Sequence, residues 1–277
     1  MPTLEELETP TPIVELDRLE RNLDRMAQYA VEYGLSLRPH IKTHKSPMLA
    51  TEQLRRGAIG LTCATTAEVE VMSAVGNDIL MAYPAIGRAK LKRLMNVSSE
   101  TRLTVALDSA EAIEQLAAAA RERDRSVGVL LEIDLGMHRV GVASVDRVIE
   151  LINLVRARPP LEYAGIAFYP GHIRQSVNVQ DESLAELSAA LGGVLGELER
   201  ANLRPGTVSG GSTPTAFRTH EIAGVTEFRP GTYIFNDRTT CEIGACEQRD
   251  VALTVLATVV STAVPGQAVI DLSLIHI

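Results

Sequence analysis

The chain has 277 residues, 45% of them hydrophobic and 22% charged, with a net charge of −8. That length suits one large α/β domain, alone or with a smaller companion, and the acidic balance (pI about 5.4) excludes a general nucleic-acid binder. Three cysteines without a Cys-x-x-Cys fit a reducing cytoplasm, and no apolar stretch is long enough to span a bilayer.

The opening MPTLEELETPTPIVELD is acidic and lacks an apolar core, so it is not a signal peptide. Its strand-like TPIVELD leads into Leu16, Leu19, Leu23, Met26, Ala27 and Ala30 at helical spacing, ending at Gly34. Short apolar runs then alternate with helices. The runs fall at 35–41, 58–63, 78–83, 102–107, 127–133, 163–168, 207–209 and 225–228. The helices between them fall at 47–56, 67–75, 88–95, 110–123, 145–156 and 183–201, and the link between the last two runs has room for only a turn or two. About eight strand–helix units in roughly 215 residues is what a (β/α)8 TIM-type barrel requires. An open doubly wound sheet is the alternative, but no Gly-x-Gly-x-x-Gly follows the first strand. After Asp237 the helical period stops, and 251–261 with 267–271 read as strands around Pro265-Gly266. We therefore expect a barrel over 11–237, the beginning of an incomplete all-β domain over 238–271, and a foreign or truncated apolar tail over 272–277.

In such a barrel, chemistry gathers just past the C-terminal ends of the strands. The first run ends in Arg38-Pro39-His40-Ile41-Lys42-Thr43-His44-Lys45-Ser46, with two lysines and two imidazoles within six residues. Strand alternation would put His40, Lys42 and His44 on one face. A lysine among cationic neighbours loses its proton more readily, as a Schiff-base lysine must; the plain alternative is a solvated basic turn. Later runs end in Tyr83-Pro84, in Asp108-Ser109 (a helix cap), in Glu132-Ile133-Asp134-Leu135-Gly136 with Arg139, and in Tyr169-Pro170-Gly171-His172. The last two end in Ser209-Gly210-Gly211-Ser212-Thr213-Pro214-Thr215 and Arg229-Pro230-Gly231-Thr232-Tyr233. Paired glycines flanked by hydroxyls at a helix start let backbone approach an anion, although a flexible glycine turn reads the same way. No Lys follows the glycines, so a nucleotide P-loop is excluded. A lysine on the first strand facing a phosphate cradle on the seventh points to pyridoxal 5′-phosphate. Cys63, Cys241 and Cys246 show no zinc-site spacing and read as ordinary thiols.

Taken together, these stretches resemble the D-threonine aldolase and D-serine dehydratase-like enzymes of the alanine-racemase type, from Thr11 to Asp271. The resemblance implies a pyridoxal phosphate-dependent lyase acting on D-β-hydroxy-amino acids, cytoplasmic, with no nucleic-acid or membrane partner and a homodimer when full length; as a truncated chain it is expected to be weakly active or inactive. It implies that Lys42 carries the cofactor, with Lys45 as the competing candidate. It further implies that Arg139 meets the phenolic oxygen or the substrate carboxylate, and that Tyr169 and His172 lie beside the ring. Ser209, Gly210, Gly211 and Ser212 would hold the phosphate, and Arg229 the pyridine nitrogen. Tyr233 would reach the phosphate or pack in the core, and His40 and His44 would tune Lys42, with His40, Tyr169 and Arg139 in the catalytic set. Retro-aldol cleavage to glycine and an aldehyde is the first reading. D-serine dehydratase, a racemase and a non-catalytic pyridoxal phosphate carrier are the alternatives. The family's divalent metal (Mn or Zn) is held by a His-x-Cys or His-x-Asp pair. Nothing in this chain matches that pair, since His276 is followed only by Ile277.

Overall fold

A computed structural model describes residues 3–273. Eight parallel strands form one sheet in the order β2-β9-β8-β7-β6-β5-β4-β3. They are β2 (Ser36–Leu37), β3 (Leu61–Cys63), β4 (Asp78–Met81), β5 (Arg102–Leu107), β6 (Val127–Glu132), β7 (Leu161–Ala167), β8 (Thr207–Gly210) and β9 (Glu227–Phe228). The seam between β2 and β3 is closed by a parallel bridge from His40 to Thr62 and by Thr62 N donating to Pro39 O at 2.9 Å. The expected barrel is therefore present.

Helices α1 (Leu16–Glu32), α2 (Pro47–Arg55), α3 (Thr66–Met72), α4 (Arg88–Met95), α5 (Ala110–Glu122), α6 (Val145–Arg156) and α7 (Asp181–Arg200) cover it. Four start on a hydroxyl cap, where Ser46, Thr65, Ser109 and Ser144 each accept from a backbone N–H three residues on. That bond satisfies a donor the helix itself leaves free, so the chain turns from strand to helix at a fixed residue. On α1, Leu19, Leu23, Met26 and Ala30 are buried, one stripe at helical spacing.

Strand parity places the site. Leu80 of β4 and Leu130 of β6 pack together inside the barrel, apart from the larger apolar cluster between strands and helices. Residues of the same parity, Asp78 and Glu132 among them, therefore also face the interior.

The structure departs from the sequence expectations in three places. The first run is extended only at Ser36–Leu37 in the ladder, because the chain enters a 3-10 turn at Ile41–Thr43. The link between β8 and β9 is a nine-residue 3-10 helix, Thr213–Glu221. The strand-like opening, β1 (Thr11–Val14), lies outside the barrel and pairs antiparallel with β10 (Leu253–Leu256). The short helix α8 (Arg238–Glu242) precedes that pair, and β11 (Val259–Ser261) pairs with β12 (Val269–Ile270). Of the three cysteines read as ordinary thiols, Cys241 and Cys246 stand with their Sγ atoms 3.3 Å apart. No helix among the described residues is long and apolar enough to cross a membrane. Residues 274–277 of the expected tail, with His276, lie outside the described residues.

Candidate active site

A cavity of about 190 Å³ opens at the C-terminal ends of the barrel strands, and every strand but β5 contributes to its wall. The turn after β2 supplies His40, Lys42 and Thr43. Because the backbone leaves the extended form at Ile41, His44 does not share their face. Its Nε2 pairs with Gln53 Oε1 at 3.2 Å, and its Nδ1 accepts from Ser46 N at 3.0 Å. Lys45, the competing lysine, has its Nζ 3.4 Å from Glu68 Oε1 and does not line the cavity, whereas Lys42, itself partly exposed, does.

Burial, then the charge on Arg139, holds Lys42 below the usual ammonium range; Arg229 adds to this and Glu68 opposes it. His40 is pushed down to about 3 by burial and then by Lys42, so it stays neutral over the physiological range. Its Nδ1 accepts from Lys42 N at 3.4 Å, which fixes the ring against the turn that carries the lysine.

Beside the Lys42 turn, the loops after β8 and β9 form a cradle of small residues. Gly211 has φ +116°, and a Cβ there would stand 3.2 Å from Phe228 Cβ. A Cβ on Gly231 would meet His40 O at 2.9 Å and Thr43 Oγ1 at 3.0 Å. Ser212 Oγ lies 3.0 Å from Thr215 Oγ1, and Thr213 Oγ1 accepts from Gly231 N at 3.3 Å. Two positions without room for a side chain, rimmed by hydroxyls at the start of a 3-10 helix, make a receptacle for a compact anion.

Among the described residues, three cations, Lys42, Arg139 and Arg229, face this space, and Glu132 is the one carboxylate in its wall. The Arg139 guanidinium lies over the Tyr169 ring, 4.8 Å from its centroid. Burial raises the Glu132 carboxyl above its usual range, against the pull of Arg229 and Arg139. An excess of positive charge beside a lysine of lowered basicity suits an anionic carbonyl compound. The donor set thus fits pyridoxal phosphate: nucleophile, guanidinium groups and anion cradle share one chamber.

Of the residues expected at the site, His40, Lys42, Arg139, Tyr169, Gly211, Ser212 and Arg229 line the cavity. Four do not. Ser209 is fully buried beneath it, donating to Glu227 Oε1 at 2.5 Å. Gly210 is a glycine because a Cβ would run into the Phe168 ring. His172 is exposed, with its Nε2 only 3.1 Å from where a Cβ on Gly136 would stand. Tyr233 is buried, and its hydroxyl accepts from Gln53 Nε2 at 3.0 Å, so it packs in the core. The cavity also takes Glu132, Tyr83, Thr213, Gly231 and Thr232, all within stretches flagged in the sequence but not singled out there. For Glu132 the signal was available: it shares strand parity with Leu130. Among the described residues, no group of three His, Cys, Asp or Glu side chains could hold a metal ion.

A closed parallel barrel carrying a deprotonation-prone lysine and an anion cradle in one cavity defines a cofactor-binding barrel of the pyridoxal phosphate type. Comparison with known proteins places it more closely. Residues 14–239 match the model of the alanine racemase N-terminal domain, and the chain belongs to that family. It is 36% identical over 274 residues to the D-threo-3-hydroxyaspartate dehydratase of Delftia sp. (strain HT23), covering 97% of this chain and 72% of that protein. It is 32% identical to the 3-hydroxy-D-aspartate aldolase of Paracoccus denitrificans (strain Pd 1222), covering 97% and 73%. The crystal structure of D-threonine aldolase from Filomicrobium marinum superposes with a TM-score of 0.91 at 31% identity, covering 97% of this chain and 74% of that one.

Proposed function

We propose that this chain is a pyridoxal phosphate-dependent lyase of D-β-hydroxy-amino acids, with aldol cleavage as its principal reaction. The observation that carries the reading is the convergence of Lys42, Arg139 and Arg229 on a cavity whose wall also holds the Gly211–Gly231 cradle. Relatives that carry out aldol cleavage and dehydration of such substrates support it.

Lys42 binds the cofactor through Nζ, and its lowered basicity keeps a larger fraction of the amine able to attack a carbonyl. Ser212, Thr213, Gly211 and Gly231 hold the phosphate. Arg229 donates toward the ring, and Arg139, over Tyr169, meets the phenolic oxygen or the substrate carboxylate. His40, neutral and packed against the Lys42 turn, keeps a further positive charge out of the chamber. Bound there, pyridoxal phosphate supplies an electron sink for negative charge developing at the substrate α-carbon. In aldol cleavage the Cα–Cβ bond breaks, the β-hydroxyl gives up its proton, an aldehyde leaves, and the α-carbon takes a proton to become glycine. In dehydration Lys42 instead removes the α-proton and the β-hydroxyl departs as water.

The divalent metal implied by the resemblance does not fit the described residues, which offer it no ligand cluster. We place the cofactor-binding domain at residues 11–237, with its opening strand paired outside the barrel to Leu253–Leu256, the start of a β-rich unit at 238–271, and the enzyme in the cytoplasm as a homodimer. Product analysis tests the reading. Glycine and acetaldehyde from D-threonine support the aldolase, pyruvate and ammonia from D-serine the dehydratase. Binding of pyridoxal phosphate without turnover of D-threonine, D-serine or D-threo-3-hydroxyaspartate would overturn the lyase reading in favour of a carrier.

A further inference from the structure

Arg229 reaches the cavity with a guanidinium held from behind at two points. Nη1 donates to Ser209 Oγ at 2.9 Å, and Nη2 donates to the Phe168 carbonyl at 2.8 Å. A guanidinium has no acceptor, so Ser209 Oγ must receive the first bond, and its single hydroxyl proton goes elsewhere. It goes to Glu227 Oε1, 2.5 Å away. Glu227 is 3% exposed, and its other oxygen accepts from Arg38 Nε at 2.7 Å. Arg38 Nη1 in turn donates to Asp78 Oδ1 at 2.7 Å.

Asp78, Arg38, Glu227, Ser209 and Arg229 thus form one line of bonds inside the barrel, beneath the cavity. Every donor and acceptor direction in it is determined. A hydroxyl that donates to a carboxylate becomes a better acceptor for the next group. A competing partner for Arg229 is Glu132, the carboxylate in the same cavity wall, on which Arg229's charge acts.

Resting on the reading that Arg229 faces the bound cofactor, we propose that Glu227, acting through Ser209, is a positioning residue for Arg229. It holds the guanidinium back from Glu132 and leaves the remaining N–H donors to the cavity ligand. Ser209 belongs to this relay and not to the phosphate cradle.

The test is a double-mutant cycle on the full chain, read as binding of pyridoxal phosphate by absorbance titration and of inorganic phosphate by competition. Ser209→Ala and Glu227→Gln should each weaken pyridoxal phosphate binding about tenfold. Inorganic phosphate affinity should stay within about twofold, and Ser209→Thr should restore the wild-type value. In an Arg229→Leu background, Ser209→Ala should change pyridoxal phosphate binding by less than about twofold. An equal loss in both backgrounds, or a parallel loss of inorganic phosphate, overturns the relay. Should Ser209→Ala not fold, Ser209→Cys, which keeps the volume but replaces the hydroxyl with a weak acceptor and leaves the Arg38–Glu227 pair intact, gives the same comparison in the two backgrounds. A wild-type chain that binds no pyridoxal phosphate refutes the functional reading itself, whereas binding that falls in Arg229→Leu but ignores Ser209→Ala and Glu227→Gln refutes only the relay.

Discussion

Arg38→Met should destabilise the barrel strongly, because Arg38 is the cation that two strands' carboxylates share. Its side chain is 9% exposed and bonds Glu227 of β9 and Asp78 of β4 from its place beside the β2–β3 seam. Methionine fills much of the same volume, so the cost comes from charge and not from a cavity. Glu227, with 4% side-chain exposure, would keep only the Ser209 hydroxyl as partner. Asp78 is more open at 18% and has Arg102 within 3.6 Å, so it contributes less. Removing one partner of a buried ion pair costs about 3–5 kcal/mol, nearly all of it here from Glu227. At roughly 2–4 °C per kcal/mol for a chain of this size, the midpoint should fall by on the order of 10 °C. Asp78→Asn, which leaves the Arg38–Glu227 pair intact, should cost only about 1 kcal/mol. Thermal and urea unfolding of the three proteins gives both numbers. If Arg38→Met unfolds within about 1 kcal/mol of wild type, or Asp78→Asn costs as much, the shared-cation account is wrong.

Other outcomes follow from the same structure. Gly210→Ala drives a methyl into the Phe168 ring and should cost about 1–3 kcal/mol, read as a lower melting temperature; unchanged stability would mean the ring has room to yield. Arg139→Gln removes the cation that, after burial, does most to lower Lys42, so the pH at which Lys42 reacts with an amine-directed reagent should move upward. A profile that stays put or moves down would contradict that cause. His40 is neutral when folded and free to charge when unfolded, so the unfolded state binds more protons below pH ~6.5. Wild-type stability should therefore decline as pH falls from about 6.5 toward 3, by up to ~1.4 kcal/mol per pH unit more than in His40→Gln. Parallel pH–stability curves would show that His40 titrates normally.

The barrel was legible because its evidence is local. Buried parallel strands read as apolar runs, and Ser46, Thr65, Ser109 and Ser144 mark where each following helix begins. The pairing of Thr11–Val14 with Leu253–Leu256 was not legible, since nothing in either stretch names a partner some 240 residues away. At the site, Lys42, Arg139, Arg229, Gly211 and Ser212 stood out because each lies in a turn of unusual composition after a strand. Ser209 and Gly210, expected at the phosphate, do not line the cavity: they are still in β8, where side chains meet the barrel interior and Phe168 before the loop begins. Tyr233 was ambiguous in sequence, and its bond to Gln53 decides it for the core. The 3-10 turn at Ile41–Thr43 explains why alternation failed for His44.

Borohydride reduction of the chain with pyridoxal phosphate, followed by peptide mass spectrometry, tests the central claim most directly. A single modified peptide should appear, carrying the label on Lys42, and it should vanish in Lys42→Met but persist in Lys45→Met. Label on Lys45, or on no lysine at all, would contradict the assignment of Lys42 and with it the functional reading of the cavity.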